Sequence, residues 1–163
     1  MLGGSRIGDL VAGGWHLGGI YSLASGFPFS PQMGFDTSNT GSQGLLRPDQ
    51  VLPNGNLPRG QRSPNLWFNT DAYAVPANFT FGNAGRNTLI GPDTNDWDAS
   101  LRKTFQIRES QNVEFRGEFF NFLNHPSFAQ PDSVITDGPG ATGVVTSIAG
   151  ANREVQLALK YNF

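Results

Sequence analysis

The chain closes with the sequence Arg153-Glu154-Val155-Gln156-Leu157-Ala158-Leu159-Lys160-Tyr161-Asn162-Phe163. Apolar and polar side chains alternate in it without a break, and the apolar members are Val155, Leu157, Leu159, Tyr161 and Phe163. Because successive side chains of a β-strand point to opposite faces, this period of two predicts a strand with one apolar and one polar face.

The same alternation recurs in three earlier segments, which predict further strands at about residues 10–23, 95–107 and 112–123. One apolar series is interrupted only by a lysine, and it reads Trp97, Ala99, Leu101, Lys103, Phe105 and Ile107. A short polar turn joins the second and third of these segments, whereas long stretches rich in Gly and Pro, residues 25–93 and 125–150, form the other connections. An all-β chain with about four long strands is therefore expected.

The composition narrows the classes of protein that fit. The 163 residues include 21 Gly, 11 Pro and no Cys, and the formal net charge is −2. The absence of Cys excludes disulfides and thiolate metal sites, and the chain has no basic footprint for nucleic acid. No apolar run reaches the ~18 residues of a membrane-spanning helix, but a membrane-spanning strand needs only about 9–11 residues.

The connection lengths alternate as in outer-membrane barrels, which have short periplasmic turns and long external loops. The sequence therefore predicts an antiparallel transmembrane β-barrel segment with long external loops. The barrel is incomplete, because about four strands cannot close a cylinder. Its apolar faces are expected to contact outer-membrane lipid, and its polar faces to line the lumen. Residues 1–6 lack the apolar segment of an export signal, so the chain is expected to be a fragment.

Two other architectures share this pattern. A secreted β-sandwich that binds a ligand or carbohydrate would turn the same apolar faces inward. The aromatic residues Trp67, Phe68 and Tyr73 in the long first connection are candidate ligand contacts in either architecture. A barrel assembled from several short chains is the third possibility. Alternation alone does not distinguish the three.

Several motifs, in a fixed order, resemble those of one known family. A "GW…SG-x-PF" stretch is followed by "RN-x-L-x-GP", "D-x-S-L-x-K-x-F", "FR-x-E-x-FN-x-x-NH" and "R-x-x-Q-x-x-LK-x-x-F", at residues 14–29, 85–92, 98–105, 115–125 and 153–163. They are similar to the late strands of TonB-dependent receptors of the Oar-like set, which carry a carboxypeptidase-regulatory-like domain at the N-terminus. The resemblance covers nearly the whole chain.

This resemblance implies a location in the bacterial outer membrane and a barrel of about 22 strands, of which the chain holds the last few. It also implies a plug domain and a contact with TonB through the N-terminal part of the receptor. The family takes up chelated metals, cobalamin and glycans, and nothing in the sequence selects a substrate. The end of the chain resembles the signal read by the barrel-assembly machinery, at Leu157, Leu159, Tyr161 and Phe163.

Charged residues on the polar strand faces are the other candidates for function. We expect a lumen-facing group of opposite charges on neighbouring strands, made of Asp98, Arg102, Glu114, Arg116 and Glu118. Paired carboxylates can also perform acid–base chemistry, but the sequence suggests no nucleophile beside them.

No catalytic, cofactor-binding or metal-binding residue is predicted, and no enzymatic activity is expected. The acidic stretch at residues 93–98 has Trp97 and Asp98 where a calcium loop needs an oxygen ligand and a glycine. His16 and His125 have no second ligand at the spacing of a zinc site.

Overall fold

The computed structural model describes residues 8, 11–41 and 46–163, and within them it contains eight β-strands. In chain order these are β1 (Trp15–Ala24), β2 (Pro28–Phe29), β3 (Asp49–Gln50), β4 (Tyr73–Ala74), β5 (Leu89–Ile90), β6 (Thr94–Arg108), β7 (Gln111–Phe120) and β8 (Glu154–Asn162). Short 3-10 helices lie at Arg59–Gln61, Thr70–Ala72 and Ile135–Asp137.

The four long strands form one sheet in the order β1-β6-β7-β8. β6 pairs antiparallel with β7, and β7 pairs antiparallel with β8. β1 also runs antiparallel to β6, because Gly14 lies beside Thr104 while Gly19 lies beside Asp98. The predicted all-β, antiparallel fold class is confirmed.

Two strands are shorter than predicted, and in both cases a residue with positive φ lies at the end. The first was expected from residue 10 but begins at Trp15, because Gly14 has φ 71°, outside the extended region. Leu10 itself lies outside the described residues. The third was expected to reach residue 123 but ends at Phe120, since Asn121 has φ 46°. The Asn121 side chain accepts a hydrogen bond from the backbone N–H of His125 and so stabilises the turn that follows.

The described residues fold as two compact units. The sheet unit contains the described residues up to Leu23, together with Asn95–Pro126 and Ala151–Phe163. The loop unit contains the described residues of Ala24–Thr94 and of Ser127–Gly150. It includes two small antiparallel ladders, β2 with β5 and β3 with β4.

The loop unit, which contains the described residues of the long connections predicted at 25–93 and 125–150, has its own hydrophobic core. Its buried members are Trp67, Phe68, Ala72, Tyr73, Ala84, Leu89 and Val145. The Phe68 ring packs edge-on against Phe29 and Tyr73, with centroids 5.9 and 6.1 Å apart. The two stretches are also joined by the backbone, since the N–H of Trp67 donates to the carbonyl of Gly143 at 2.8 Å. Aromatic residues far apart in the chain thus supply a core that no local pattern reveals.

Among the residues that the structure describes, no helix has the length and the apolar character needed to cross a membrane.

Candidate functional site

The strand register sorts the side chains of the sheet onto two faces. On one face, Gly117 of β7 lies between Leu101 of β6 and Leu157 of β8, and Val113 lies in the same way between Phe105 and Tyr161; this is the apolar face. Its members on β8 remain open to the surroundings, and Leu157 and Leu159 are 68% and 74% exposed. A β-sandwich would bury these side chains against a second sheet, so the observed exposure argues against that alternative.

The opposite, polar face carries the predicted charged residues of β7. Arg116 lies between two carboxylates of its own strand, with guanidinium nitrogens 3.5 Å from Glu114 Oε1 and 3.7 Å from Glu118 Oε1. All three side chains are partly exposed, so each ion pair contributes little to stability. The positive charge of Arg116 thus offsets one of the two negative charges of Glu114 and Glu118.

Across the strands, the charges are not arranged as predicted. A cross-strand series of opposite charges was expected, but the register places Arg102 of β6 directly beside Arg116 of β7. Glu114 lies beside Thr104 on one side and Lys160 on the other. Opposite charges alternate mainly along β7 instead, because residues two apart on a strand share a face.

A shallow polar pocket of about 240 Å³ opens on this face beside Arg102. His16, Arg102, Arg116 and Glu118 line it. Arg102 has no ion pair with any residue that the structure describes. On the polar face, Arg116 therefore has two carboxylate partners, and Arg102 has none among the described residues.

Asp98 lies apart from this group and has a structural role. Its Oδ1 accepts a hydrogen bond of 3.0 Å from the backbone N–H of Asn121, the residue directly after β7. The Asp98 carboxylate thereby gives the backbone N–H of Asn121 a hydrogen-bond partner just beyond the end of β7. The structure thus brings together Arg102, Glu114, Arg116 and Glu118, but not Asp98.

Lys103 is the residue whose environment the sequence did not reveal. It interrupts the apolar face of β6, yet only 2% of it is exposed. Its Nζ donates to the carbonyls of Val11 at 3.0 Å and Gly13 at 2.8 Å. The ammonium group also lies 4.6 Å from the ring centroid of Trp15 and 5.2 Å from that of Phe105. Carbonyls and aromatic faces therefore replace the water that the charge has lost.

The predicted assembly signal lies on the last strand and the residue after it. Leu157, Leu159 and Tyr161 belong to the apolar face of β8, and Phe163 follows the strand. All four side chains are exposed, and the rings of Tyr161 and Phe163 lie 5.9 Å apart. Recognition of these residues by the assembly machinery remains a prediction.

The three aromatic residues expected to contact a ligand are buried instead. Trp67, Phe68 and Tyr73 belong to the core of the loop unit, and Phe68 is only 1% exposed. Trp67 also donates its indole N–H to the carbonyl of Ile90 at 2.9 Å. This burial corrects the expectation, because a ring enclosed by its own domain has no face left for stacking.

A pocket of about 380 Å³ lies elsewhere in the loop unit and is the better candidate for ligand binding there. Its lining combines the polar side chains of Asn65, Thr70, Asp71 and Thr142 with the apolar Leu66 and Ile135. Gly138 and Gly140, both with positive φ, form part of its rim. A mixture of hydrogen-bonding groups and apolar surface suits a small polar molecule.

Within the described residues, no group of three or more His, Asp and Glu side chains is placed to hold a metal ion.

The chain matches a known protein family. A family model described as an outer membrane beta barrel domain matches residues 1–156, which include all of β1, β6 and β7 and the first residues of β8. Neither the curated proteins nor the solved structures give a significant match to the chain.

Proposed function

Since the chain belongs to the outer membrane β-barrel domain family and the protein resides in the bacterial outer membrane, we propose that it supplies wall strands and external loops of a TonB-dependent receptor. In this proposal the chain is a segment of a larger barrel, and the intact receptor takes up its substrate with energy transmitted by TonB. No catalytic role is assigned to the chain.

The observation that carries the proposal is the folded loop unit. The chain leaves the sheet after β1 and returns at β6, and it leaves again after β7 and returns at β8. Both excursions start and finish at the end of the sheet opposite the two-residue turn Glu109-Ser110. In outer-membrane barrels the long connections are external, so the loop unit belongs to the outer side. A compact external unit with its own pocket is suited to capturing a substrate, whereas a simple pore has no need of one.

The face chemistry of the sheet supports the same role. The apolar face suits contact with hydrocarbon, and the face carrying Arg102, Glu114, Arg116 and Glu118 suits an aqueous lumen. The motifs at residues 85–92, 98–105, 115–125 and 153–163, which resemble those of Oar-like receptors, add to this support.

Binding to TonB tests the proposal without knowledge of the substrate. The protein would be extracted from outer membranes in detergent and mixed with the purified periplasmic domain of TonB. We expect a saturable complex in surface plasmon resonance, and an unrelated outer-membrane porin serves as the control. Absence of binding above the porin level would contradict a TonB-dependent receptor while leaving the barrel family intact.

A further inference from the structure

Three polar side chains that line the pocket of about 240 Å³ on the polar face have no partner in the protein. They are His16 of β1 and Ser100 and Arg102 of β6. Among the described residues, none of the three makes an ion pair or a side-chain hydrogen bond. An imidazole, a hydroxyl and a guanidinium group are therefore all free to donate hydrogen bonds in the same small space.

The pairing of the strands explains why these side chains meet. The carbonyl of Gly14 accepts a hydrogen bond of 3.1 Å from the backbone N–H of Thr104 on β6. His16 follows Gly14 by two residues and therefore lies on the same face as Arg102, near it across the strands. Arg102 is in turn the register partner of Arg116 on β7. One imidazole and two guanidinium groups thus form a row across three neighbouring strands.

The missing side chain of Gly18 keeps the pocket open beside this row. A Cβ atom at Gly18 would lie 2.9 Å from Ser100 Oγ, closer than a Cβ atom approaches in proteins. On the other side of Ser100 lies its register partner on β7, Glu118, which also lines the pocket. The Ser100 hydroxyl is therefore accessible because position 18 has no side chain to cover it.

The charges of the pocket favour an anion. Side chains directly opposite each other on neighbouring strands have Cβ atoms about 4.5–5.5 Å apart, so the like charges of Arg102 and Arg116 repel each other. The nearby carboxylates of Glu114 and Glu118 pair only with Arg116, at 3.5 and 3.7 Å. An anion between the two guanidinium groups replaces this repulsion by two attractions and gives Arg102 the ionic partner that it lacks.

The number of free donors favours a phosphate group over a carboxylate. A carboxylate has two acceptor oxygens and a single charge, whereas a phosphate monoester has three strong acceptor oxygens and a charge of about −2. The planar fork of one arginine matches two of these oxygens. The Ser100 hydroxyl and the imidazole N–H of His16 then remain for the third oxygen.

We propose that this pocket binds the phosphate group of a solute inside the barrel, with Arg102 as its main ionic partner. Arg102 and Arg116 both lie near the middle of their strands, β6 and β7, which have 15 and 10 residues. A solute that crosses the lumen therefore passes the site. The proposal depends on the polar face lining the lumen and not on any contact with TonB, so failure to bind TonB would leave it intact.

Titration with inorganic phosphate tests the site in the protein extracted from outer membranes in detergent. The line width of the phosphorus NMR signal reports bound phosphate, and sodium chloride keeps the ionic strength constant. We expect saturable broadening that equimolar acetate does not reverse. Arg102→Gln should weaken phosphate binding about tenfold or more, as expected when a charge-assisted pair of hydrogen bonds is lost.

Two further variants separate the pocket from the general charge of the sheet. Arg108→Gln removes another exposed arginine of β6 that does not line the pocket, and it should bind phosphate as the native protein does. Gly18→Ala leaves every charge in place but displaces the Ser100 hydroxyl, so it should weaken binding and serves as a second pocket variant if Arg102→Gln does not fold.

Three results would overturn the proposal. Absence of saturable broadening would mean that Arg102 is not free to bind phosphate in the intact protein, for instance because an acidic side chain occupies the pocket. Displacement by equimolar acetate would contradict a site built for phosphate. Equal phosphate affinities of the Arg102 and Arg108 variants would show that binding takes place elsewhere.

Discussion

A single lysine shows how an apolar sheet face accommodates a charge. Lys103 lies in line with Phe115 and Leu159 across the sheet, where the neighbouring positions are apolar. Its ammonium group is withdrawn beneath the segment that precedes β1 and bonds to the carbonyls of Val11 and Gly13. Both carbonyls belong to non-extended backbone, so the lysine and this turn stabilise each other.

Replacing Lys103 by Ala should destabilise the folded protein by about 1–3 kcal/mol, because two charge-assisted hydrogen bonds lose their donor. Urea unfolding of the protein in lipid vesicles measures the change. The control is Lys160→Ala on the exposed polar face, for which a change within about 0.5 kcal/mol is expected. Equal effects of the two substitutions would show that the buried bonds contribute nothing.

Individual roles were the least predictable part of the molecule. The sequence places Trp67, Phe68 and Tyr73 in a stretch rich in Pro and Gly, where aromatic residues suggest an exposed binding surface. Their burial depends on partners such as Phe29 and Val145, which lie far away in the chain. Periodicity cannot report contacts of this kind, since no regular repeat connects the residues.

Phe68→Ala tests the core of the loop unit. Truncation of a fully buried Phe typically costs about 3–5 kcal/mol, enough to unfold a small unit. We expect the external loops of the variant to be cleaved much faster by added protease in intact cells. Phe79→Ala is the control, because Phe79 is 74% exposed. Unchanged resistance of the Phe68 variant would mean that this core does not hold the loop unit together.

The last strand was the most predictable element. Strict alternation over residues 153–163 gave the two faces of β8, and the observed strand, Glu154–Asn162, begins and ends within one residue of that segment. The short turn between β6 and β7 also follows from its polar sequence. Strand ends were less predictable, since Gly14 and Asn121 leave the extended region through backbone angles that alternation does not encode.

Arginine substitutions on neighbouring positions of β8 test which face meets lipid. Leu157→Arg places a charge on the apolar face and should cost about 2–4 kcal/mol near the bilayer midplane. Gln156→Arg places the same charge on the polar face beside Glu118 and should have little effect. Urea titration of each variant refolded into vesicles gives both values. The lipid-facing assignment fails if the cost at position 156 is the larger.

The turn that begins at Asp36 should respond to acid. Its carboxylate accepts hydrogen bonds from the Ser38 hydroxyl at 2.6 Å and from the backbone N–H groups of Ser38, Asn39 and Gly41. These bonds, the Ser38 hydroxyl foremost, lower the pKa of Asp36 below its ordinary value of 3.8. The contribution of the turn to stability is therefore complete above that value and disappears as the pH falls through the lowered pKa.

Amide chemical shifts measure this transition. We expect the N–H signals of Ser38, Asn39 and Gly41 to move together, with a midpoint below 3.8. Asp36→Asn should abolish the transition while leaving distant amides unchanged. A midpoint above 3.8 would contradict the hydrogen-bonded carboxylate.

For the whole molecule, the solubility of the sheet depends on its surroundings. Within the described residues β1 and β8 each have only one neighbour, so the sheet has two open edges as well as an exposed apolar face. In water without detergent we expect the isolated chain to aggregate, and in detergent to disperse. Size-exclusion chromatography with light scattering distinguishes the two states. A monodisperse monomer in plain buffer would favour the secreted β-sandwich instead.

The exposed leucine side chains of β8 also affect the export of the polypeptide and its insertion into the membrane. A sheet with one apolar face and an unpaired edge strand is unfavourable in the aqueous periplasm, which the chain crosses before insertion. We therefore expect chaperones to bind the chain until it inserts, and any delay in insertion to expose it to proteases. Polar replacements at Leu157 or Leu159 should thus make the chain more soluble before insertion and make the inserted sheet less stable.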